Sequence, residues 1–96
     1  MNQAGLFTAY RIQEKRLENA DTCSLVMDGS LPDALPGQFV MAWLPGIDER
    51  PFSLSGNDPM RITVADVGPF SHALNQLQPS DHLWLRGPLG KGFMPR

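Results

Sequence analysis

Nine prolines and nine glycines run through this chain of 96 residues, and they leave only short segments between them. Proline interrupts helices and central strands, and glycine favours turns, so such a chain is built of short strands rather than long helices. The strand-like segments are Leu6 to Ile12, Thr22 to Met27, Gln38 to Leu44, Pro51 to Ser55, Arg61 to Val67 and His82 to Arg86. In the second, Cys23, Leu25 and Met27 share one face. The third is apolar on both faces, as expected of a strand buried on both sides or lying at a ligand wall. Glu14 to Asn19 reads as a strand end and turn, because Asn19 and Asp21 follow. One helix is predicted over 71–78, with Ser71 as its cap, Ala73, Leu74 and Leu77 on one face, and Pro79 as its stop. About six short strands with turn signals between them predict an all-β fold, a small barrel or sandwich.

The bulk properties exclude several functions. The net charge is −2, and only Lys15 and Arg16 are adjacent basic residues, so there is no footprint for nucleic acid. Cys23 is the single cysteine, which rules out an intrachain disulfide or a thiolate set for zinc or an iron–sulfur cluster. No apolar run approaches a membrane span and no basic-then-apolar leader opens the chain, so the cytoplasm is the expected location and no membrane partner is expected. A hydrophobic content of 42% suits one packed core in a single domain.

Three motifs carry the chemistry. In Arg50-Pro51-Phe52-Ser53 a guanidinium, an aromatic face and a hydroxyl fall within four residues. Strand alternation puts Arg50 and Phe52 on one side and Ser53 on the other. Such a cluster suits a ligand with an anion at one end and a flat polar ring at the other, which describes a flavin nucleotide. Arg50 offers a planar fork of donors to phosphate oxygens; its plain alternative is an ion pair with Asp48 or Glu49. Gly68-Pro69-Phe70-Ser71 places backbone amides at a helix start, a setting that favours anions, or else it is an ordinary capped helix. Gly87-Pro88-Leu89-Gly90-Lys91-Gly92 looks superficially like a phosphate loop, but no Ser or Thr follows Lys91 and Phe93 and Pro95 preclude the helix. The two histidines, His72 and His82, have no partnered nucleophile, and the carboxylates are dispersed, so hydrolytic and metal chemistry find no constellation.

Pro36-Gly37-Gln38-Phe39, Arg50-Pro51-Phe52-Ser53 and the Gly87-Pro88 to Phe93 ending, in this order, resemble the flavin-binding domain of the ferredoxin-reductase superfamily. The fuller string from Pro36 to Ser55 resembles one branch, the electron-transfer subunits of dihydroorotate dehydrogenase. The resemblance covers essentially the whole chain. It implies a six-stranded antiparallel Greek-key barrel that binds FAD and passes electrons between an iron–sulfur centre and a nicotinamide nucleotide in dihydroorotate oxidation, a step of pyrimidine biosynthesis. It also implies that residues 1–96 are the N-terminal part of a longer protein. The nicotinamide-binding domain, the C-terminal 2Fe-2S region and the catalytic dihydroorotate dehydrogenase subunit as partner would lie outside this chain, which alone would be incomplete as an enzyme. Flavin domains of hydrogenase or transhydrogenase subunits, and a non-enzymatic small barrel, are the alternatives.

By the same resemblance the cofactor-binding residues are Arg50, Pro51, Phe52, Ser53, Val64, Ala65, Asp66, Gly68, Phe70 and Ser71. Arg50 would hold phosphate. Phe52 would lie against the flavin in place of the tyrosine frequent there, without its hydroxyl; otherwise it is core. Ser53 would stand near the reactive nitrogen, a role that the backbone amides of Leu54 or Ser55 could share. Val64, Ala65 and Asp66 would offer backbone groups, with the Asp66 carboxylate pointing outward or accepting from a ribose hydroxyl. Gly68 to Ser71 would bracket a diphosphate with Arg50, and His72 reads as an exposed spectator.

Overall fold

The computed structural model describes residues 7–31, 33–35 and 38–90. The Pro36-Gly37 pair and the Lys91 to Phe93 end of the last glycine-rich motif lie outside them. Six strands and one helix follow in the order β1 (Thr8–Asn19), β2 (Thr22–Met27), β3 (Phe39–Leu44), β4 (Asp48–Asn57), β5 (Met60–Ala65), α1 (Pro69–Asn75) and β6 (His82–Leu89). All neighbouring strands are antiparallel and close into a barrel in the order β1-β2-β5-β4-β3-β6. β2 passes over the β3–β4 hairpin to pair with β5, which is the Greek-key connection.

The barrel follows from alternation. Cys23, Leu25 and Met27 of β2, Val40, Ala42 and Leu44 of β3, Met60, Ile62 and Val64 of β5, and Leu83 and Leu85 of β6 form the core with Ile12 of β1. Phe70 and Leu74 of α1 complete it. The other face of β3 is half-buried rather than wet. Trp43 stands opposite Trp84 of β6 with ring centroids 5.9 Å apart, and Phe7 lies 5.3 Å from Trp43, with the Arg86 guanidinium over its ring. These aromatic contacts explain why Gln38 to Leu44 is apolar on both faces.

β1 runs through Glu14 to Asn19, where the sequence predicted a strand end and turn; the turn comes at Ala20 and Asp21, with the Asn19 carboxamide oxygen accepting from the Asp21 amide at 2.9 Å. Most side chains of this half of β1 stand in water, so the alternation that marks a half-buried strand is missing. The helix spans Pro69–Asn75, not 71–78. Proline suits the first helical position, having no amide hydrogen to leave unpaired, so the helix starts two residues before Ser71. Its last turn tightens through Gln76 N to Ala73 O and Leu77 N to Leu74 O, both 3.1 Å. Among the described residues, no helix is long and apolar enough to cross a membrane.

Ile62 is wholly buried at the centre of this core. Ile62→Ala should cost about 2–5 kcal/mol of unfolding free energy by urea titration, the usual range for a buried aliphatic truncation. Cys23 is also fully buried, and desolvation pushes its thiol pKa up. The thiol should therefore react with Ellman's reagent only after denaturation; rapid labelling of the native protein would contradict this core assignment.

Candidate functional site

The barrel is sealed unevenly. β4 pairs with β3 from Asp48 to Ser53, but pairs with β5 only at Leu54, Gly56 and Asn57. Beyond Leu54 the two strands part, and one backbone edge of β4 has no strand beside it among the described residues. Alternate N–H and C=O groups on such an edge are left for another partner. The helix α1 packs against β5 and β4 where they part.

An open groove of about 380 Å³ lies there, lined by Arg50, Pro51 and Phe52 of β4 and by Val67, Gly68, Pro69, Phe70 and Ser71. Six of the ten residues singled out from the sequence thus share one concavity. Phe52 and Phe70 stack with centroids 6.0 Å apart and planes 27° apart. Phe70 is buried and Phe52 half-buried, so the pair joins the core and also forms part of the groove wall.

Arg50 stands at the groove's polar end, with its side chain 56% exposed. Its Nη1 pairs with Asp48 Oδ2 at 2.7 Å and donates to the Glu49 carbonyl at 2.9 Å. The plain ion pair weighed in the sequence is therefore present, and it coexists with groove lining. Nε and Nη2 make no hydrogen bond to any described residue, so these donors are open to an acceptor.

The helix start works differently from the sequence expectation. Ser71 is the third helical residue, not the cap, and its hydroxyl reaches back to accept from the Val67 amide at 2.9 Å and the Gly68 amide at 3.0 Å. That hydroxyl, on a residue only 8% exposed, is already engaged and holds the turn in shape. Pro69 has no amide hydrogen. In this short helix only the Phe70 and Ser71 amides remain without an intrahelical acceptor, so Arg50 is the main partner for an anion. Gly68 is extended, with φ 179°, and a Cβ built on it would meet nothing within 4 Å. Neither backbone nor neighbours demand glycine; its absent side chain leaves the groove floor open.

The other four predicted residues lie elsewhere. Val64 points into the core at 1% exposure, and Ala65 is exposed at the end of β5. The Asp66 carboxylate contacts His72 Nδ1 at 2.8 Å, and the His72 side chain is exposed. Ser53 is exposed and paired with Phe39 of β3, outside the groove's lining. Val67 and Pro69 line the groove and were not singled out, although both adjoin Gly68. Val67 is 86% exposed. Beyond Ser53 a second groove of about 300 Å³ is lined by Ala34, Leu35, Gln38, and Leu54 to Asn57.

A closed Greek-key barrel whose β4 edge opens onto a short proline-started helix has the fold of the flavin domains of ferredoxin-reductase-like proteins. Among solved structures, an NADH-dependent reduced ferredoxin-NADP oxidoreductase superposes with TM-score 0.82 at 24% identity, covering 94% of this chain and 36% of that one. The flavohem-like FAD/NAD binding domain of nitric oxide dioxygenase from Vibrio cholerae superposes with TM-score 0.72 at 27% identity, over 92% and 46%. No family model matches the chain. Its curated relatives are named "Probable dihydroorotate dehydrogenase B (NAD(+)), electron transfer subunit". That of Thermococcus kodakarensis is 56% identical over 61 residues, covering 64% of this chain and 25% of the relative. That of Methanocaldococcus jannaschii is 40% identical over 85 residues, covering 88% and 32%. Over the aligned residues the chain is a homologue of these electron transfer subunits, and it spans about a quarter to a third of their length.

The double contact of Ser71 gives a direct test of the turn. Ser71→Ala removes the acceptor of two amides, and the melting temperature should fall by the equivalent of about 0.5–2 kcal/mol, the scale of a lost helix cap. An unchanged melting curve would mean that the turn keeps its shape without the hydroxyl.

Proposed function

We propose that this chain binds FAD and acts as the flavin module of an electron transfer subunit serving dihydroorotate oxidation in pyrimidine biosynthesis. The observation that carries the reading is the groove at the open edge of β4, where Arg50, the Phe52–Phe70 pair and the bare backbone of Gly68 converge, on a chain homologous to subunits of that name. The residues fit the cofactor. A half-free guanidinium suits a diphosphate, aromatic faces suit a flat ring, and unpaired strand amides suit the ring's polar edge. Val64, Ala65 and Asp66 would take part through backbone groups, and Ser53 by its nearness to the groove along β4.

FAD supplies the hydride and single-electron chemistry when bound; the protein supplies binding, orientation and exclusion of water. Arg50 would hold the phosphate end, Phe52 and Phe70 would wall the groove, and Val67 would cover ligand rather than stand in water. The nicotinamide-binding and 2Fe-2S regions, and the catalytic dihydroorotate dehydrogenase subunit, would be supplied by polypeptide outside these residues. Hydride transfer needs donor and acceptor held about 3–3.5 Å apart, and the nicotinamide would be held there by that outside polypeptide. The homology to dihydroorotate dehydrogenase subunits favours this branch over hydrogenase or transhydrogenase relatives.

Flavin titration by fluorescence tests the reading. The chain should prefer FAD to FMN, because a diphosphate gives Arg50 and the Phe70 and Ser71 amides more acceptors than a monophosphate does. Equal affinity for the two would remove the diphosphate site. Arg50→Ala should weaken FAD binding by about 1.5–3 kcal/mol, the scale of a charge-assisted hydrogen bond. The melting temperature without FAD should barely move, since the exposed pair with Asp48 contributes little to folding. Unfolding of the ligand-free variant would instead make Arg50 a structural residue. Gly68→Leu places a side chain in the open groove; it should leave the fold intact and abolish FAD binding, and retained binding would put the ligand elsewhere.

A further inference from the structure

The parting of β4 from β5 has a visible hinge point. Along this ladder Asn57 faces Met60, Gly56 faces Arg61 and Leu54 faces Ile62. β4 advances two residues, from Gly56 to Leu54, while β5 advances one. Ser55 is therefore the extra residue of a β-bulge, and a bulge bends its strand and increases the local twist. Every residue of β4 on the far side of Ser55 except Leu54 lacks a β5 partner, and those residues include Arg50 and Phe52.

An extra strand residue leaves its backbone groups without ladder partners. Here the side chain of Arg61, the residue paired beside the bulge, supplies a partner for the carbonyl. Arg61 Nη2 donates to the Ser55 carbonyl at 2.7 Å, and Nε donates to Ser55 Oγ at 3.1 Å. Ser55 Oγ in turn lies 3.2 Å from the Arg61 carbonyl. The clasp does not end there. Ser55 Oγ is 3.1 Å from Thr63 Oγ1, which is 2.9 Å from Ser24 Oγ, which donates to Glu18 Oε2 at 2.8 Å. A ribbon of three hydroxyls, with a guanidinium at one end and a carboxylate at the other, thus ties the bulge across β5 and β2 to β1. Ser24 is only 2% exposed, so the Ser24 end of the ribbon is shielded from competing water, while Ser55 and Thr63 stand at the surface.

We propose that Arg61 is a positioning residue for the groove: by clasping the bulged Ser55 from two sides it fixes where β4 leaves β5, and so sets the gap across which Phe52 faces Phe70. Arg61 itself does not line that groove. It acts through the strand, and the role rests on the flavin reading above only in that the ligand of the groove is taken to be FAD. A planar fork is required, because carbonyl and hydroxyl are gripped by two different nitrogens; an ammonium has the charge without that geometry.

Arg61→Gln and Arg61→Lys, in the full chain, test this with two readouts. Amide hydrogen exchange on the ligand-free protein should rise about tenfold, the scale of one lost charge-assisted hydrogen bond, in the hydrogen-bonded amides of β4 from Arg50 to Asn57 and at His72 of α1. It should stay unchanged in β2 and β6. The dissociation constant for FAD should rise about tenfold in both variants. Rescue by lysine would show that charge alone suffices and would overturn the clasp. A rise in exchange throughout the barrel would make Arg61 a general stability residue and would also overturn it. Local exchange with unchanged FAD affinity would overturn the positioning role while leaving the flavin reading intact. If the unaltered protein binds no FAD, the flavin reading fails. The local exchange pattern then still decides whether Arg61 shapes the groove.

Discussion

A closed barrel hides every strand edge, and hydrogen bonding across each seam is what makes six short strands stable together. In this protein the β4–β5 seam is bonded for only part of its length. The unbonded stretch of β4 would be a liability in a plain barrel, because it offers unpaired amides and carbonyls to any passing strand. Here α1 packs where the strands part, with Phe70 and Leu74 sunk into the core and the Phe52 ring stacked against Phe70. The helix covers the apolar opening without supplying strand partners. What remains is a groove with apolar walls and one polar edge, which is the general form of a small-molecule site.

The sequence shows half of this arrangement plainly. Alternation alone puts Arg50 and Phe52 on one side of a strand and Ser53 on the other, and the structure has Arg50 and Phe52 in the groove's lining and Ser53 outside it. The places of most strands and the presence of one helix are also legible, since proline and glycine mark the turns and apolar residues recur at alternate positions in β2 and β5. What the sequence hides are contacts between residues distant along the chain. Ser71 reads as a cap because serine is a common cap, yet Pro69 preempts the helix start and the serine reaches backwards to Val67 and Gly68. The bulge at Ser55 leaves only a faint mark, the Gly56 beside it, since a glycine inside a strand can signal a bulge. A strand with one extra residue has the same composition as a strand without it, and only the register against β5 reveals the difference. Glu14 to Asn19 is a strand whose side chains meet mostly water, so its pattern matches that of a turn.

The two outer faces of the barrel differ in kind. Over β3 and β6 the outer row is aromatic, with Trp43 in contact with both Phe7 and Trp84. Over β1, β2 and β5 it is polar, and the ribbon from Glu18 through Ser24 and Thr63 binds the strands by hydroxyls instead of by apolar packing. β4 lies at the junction of these two sheets, pairing with β3 over its first half and with β5 over its second. The strand that forms the groove is thus the one that passes from one kind of surface to the other. The bulge gives it the bend this requires.

Charge around the groove is arranged so that recognition of an anion must be local. The chain carries a net charge of −2, and Arg50 has Asp48 at 2.7 Å and Glu49 as its immediate neighbour. At distances beyond about 10 Å, the screening length at moderate ionic strength, such a cluster offers a phosphate little attraction. Close contact is different. The ion pair occupies Nη1 and leaves Nε and Nη2 without a hydrogen bond to any described residue, on a side chain that lines the groove. Holding the guanidinium in place before a ligand arrives reduces the ordering cost of binding. Asp48 then restrains Arg50 without neutralising its hydrogen-bonding capacity, and discrimination rests on geometry: a ligand must bring acceptor oxygens to one end of the groove while a flat body meets the aromatic wall at Phe52.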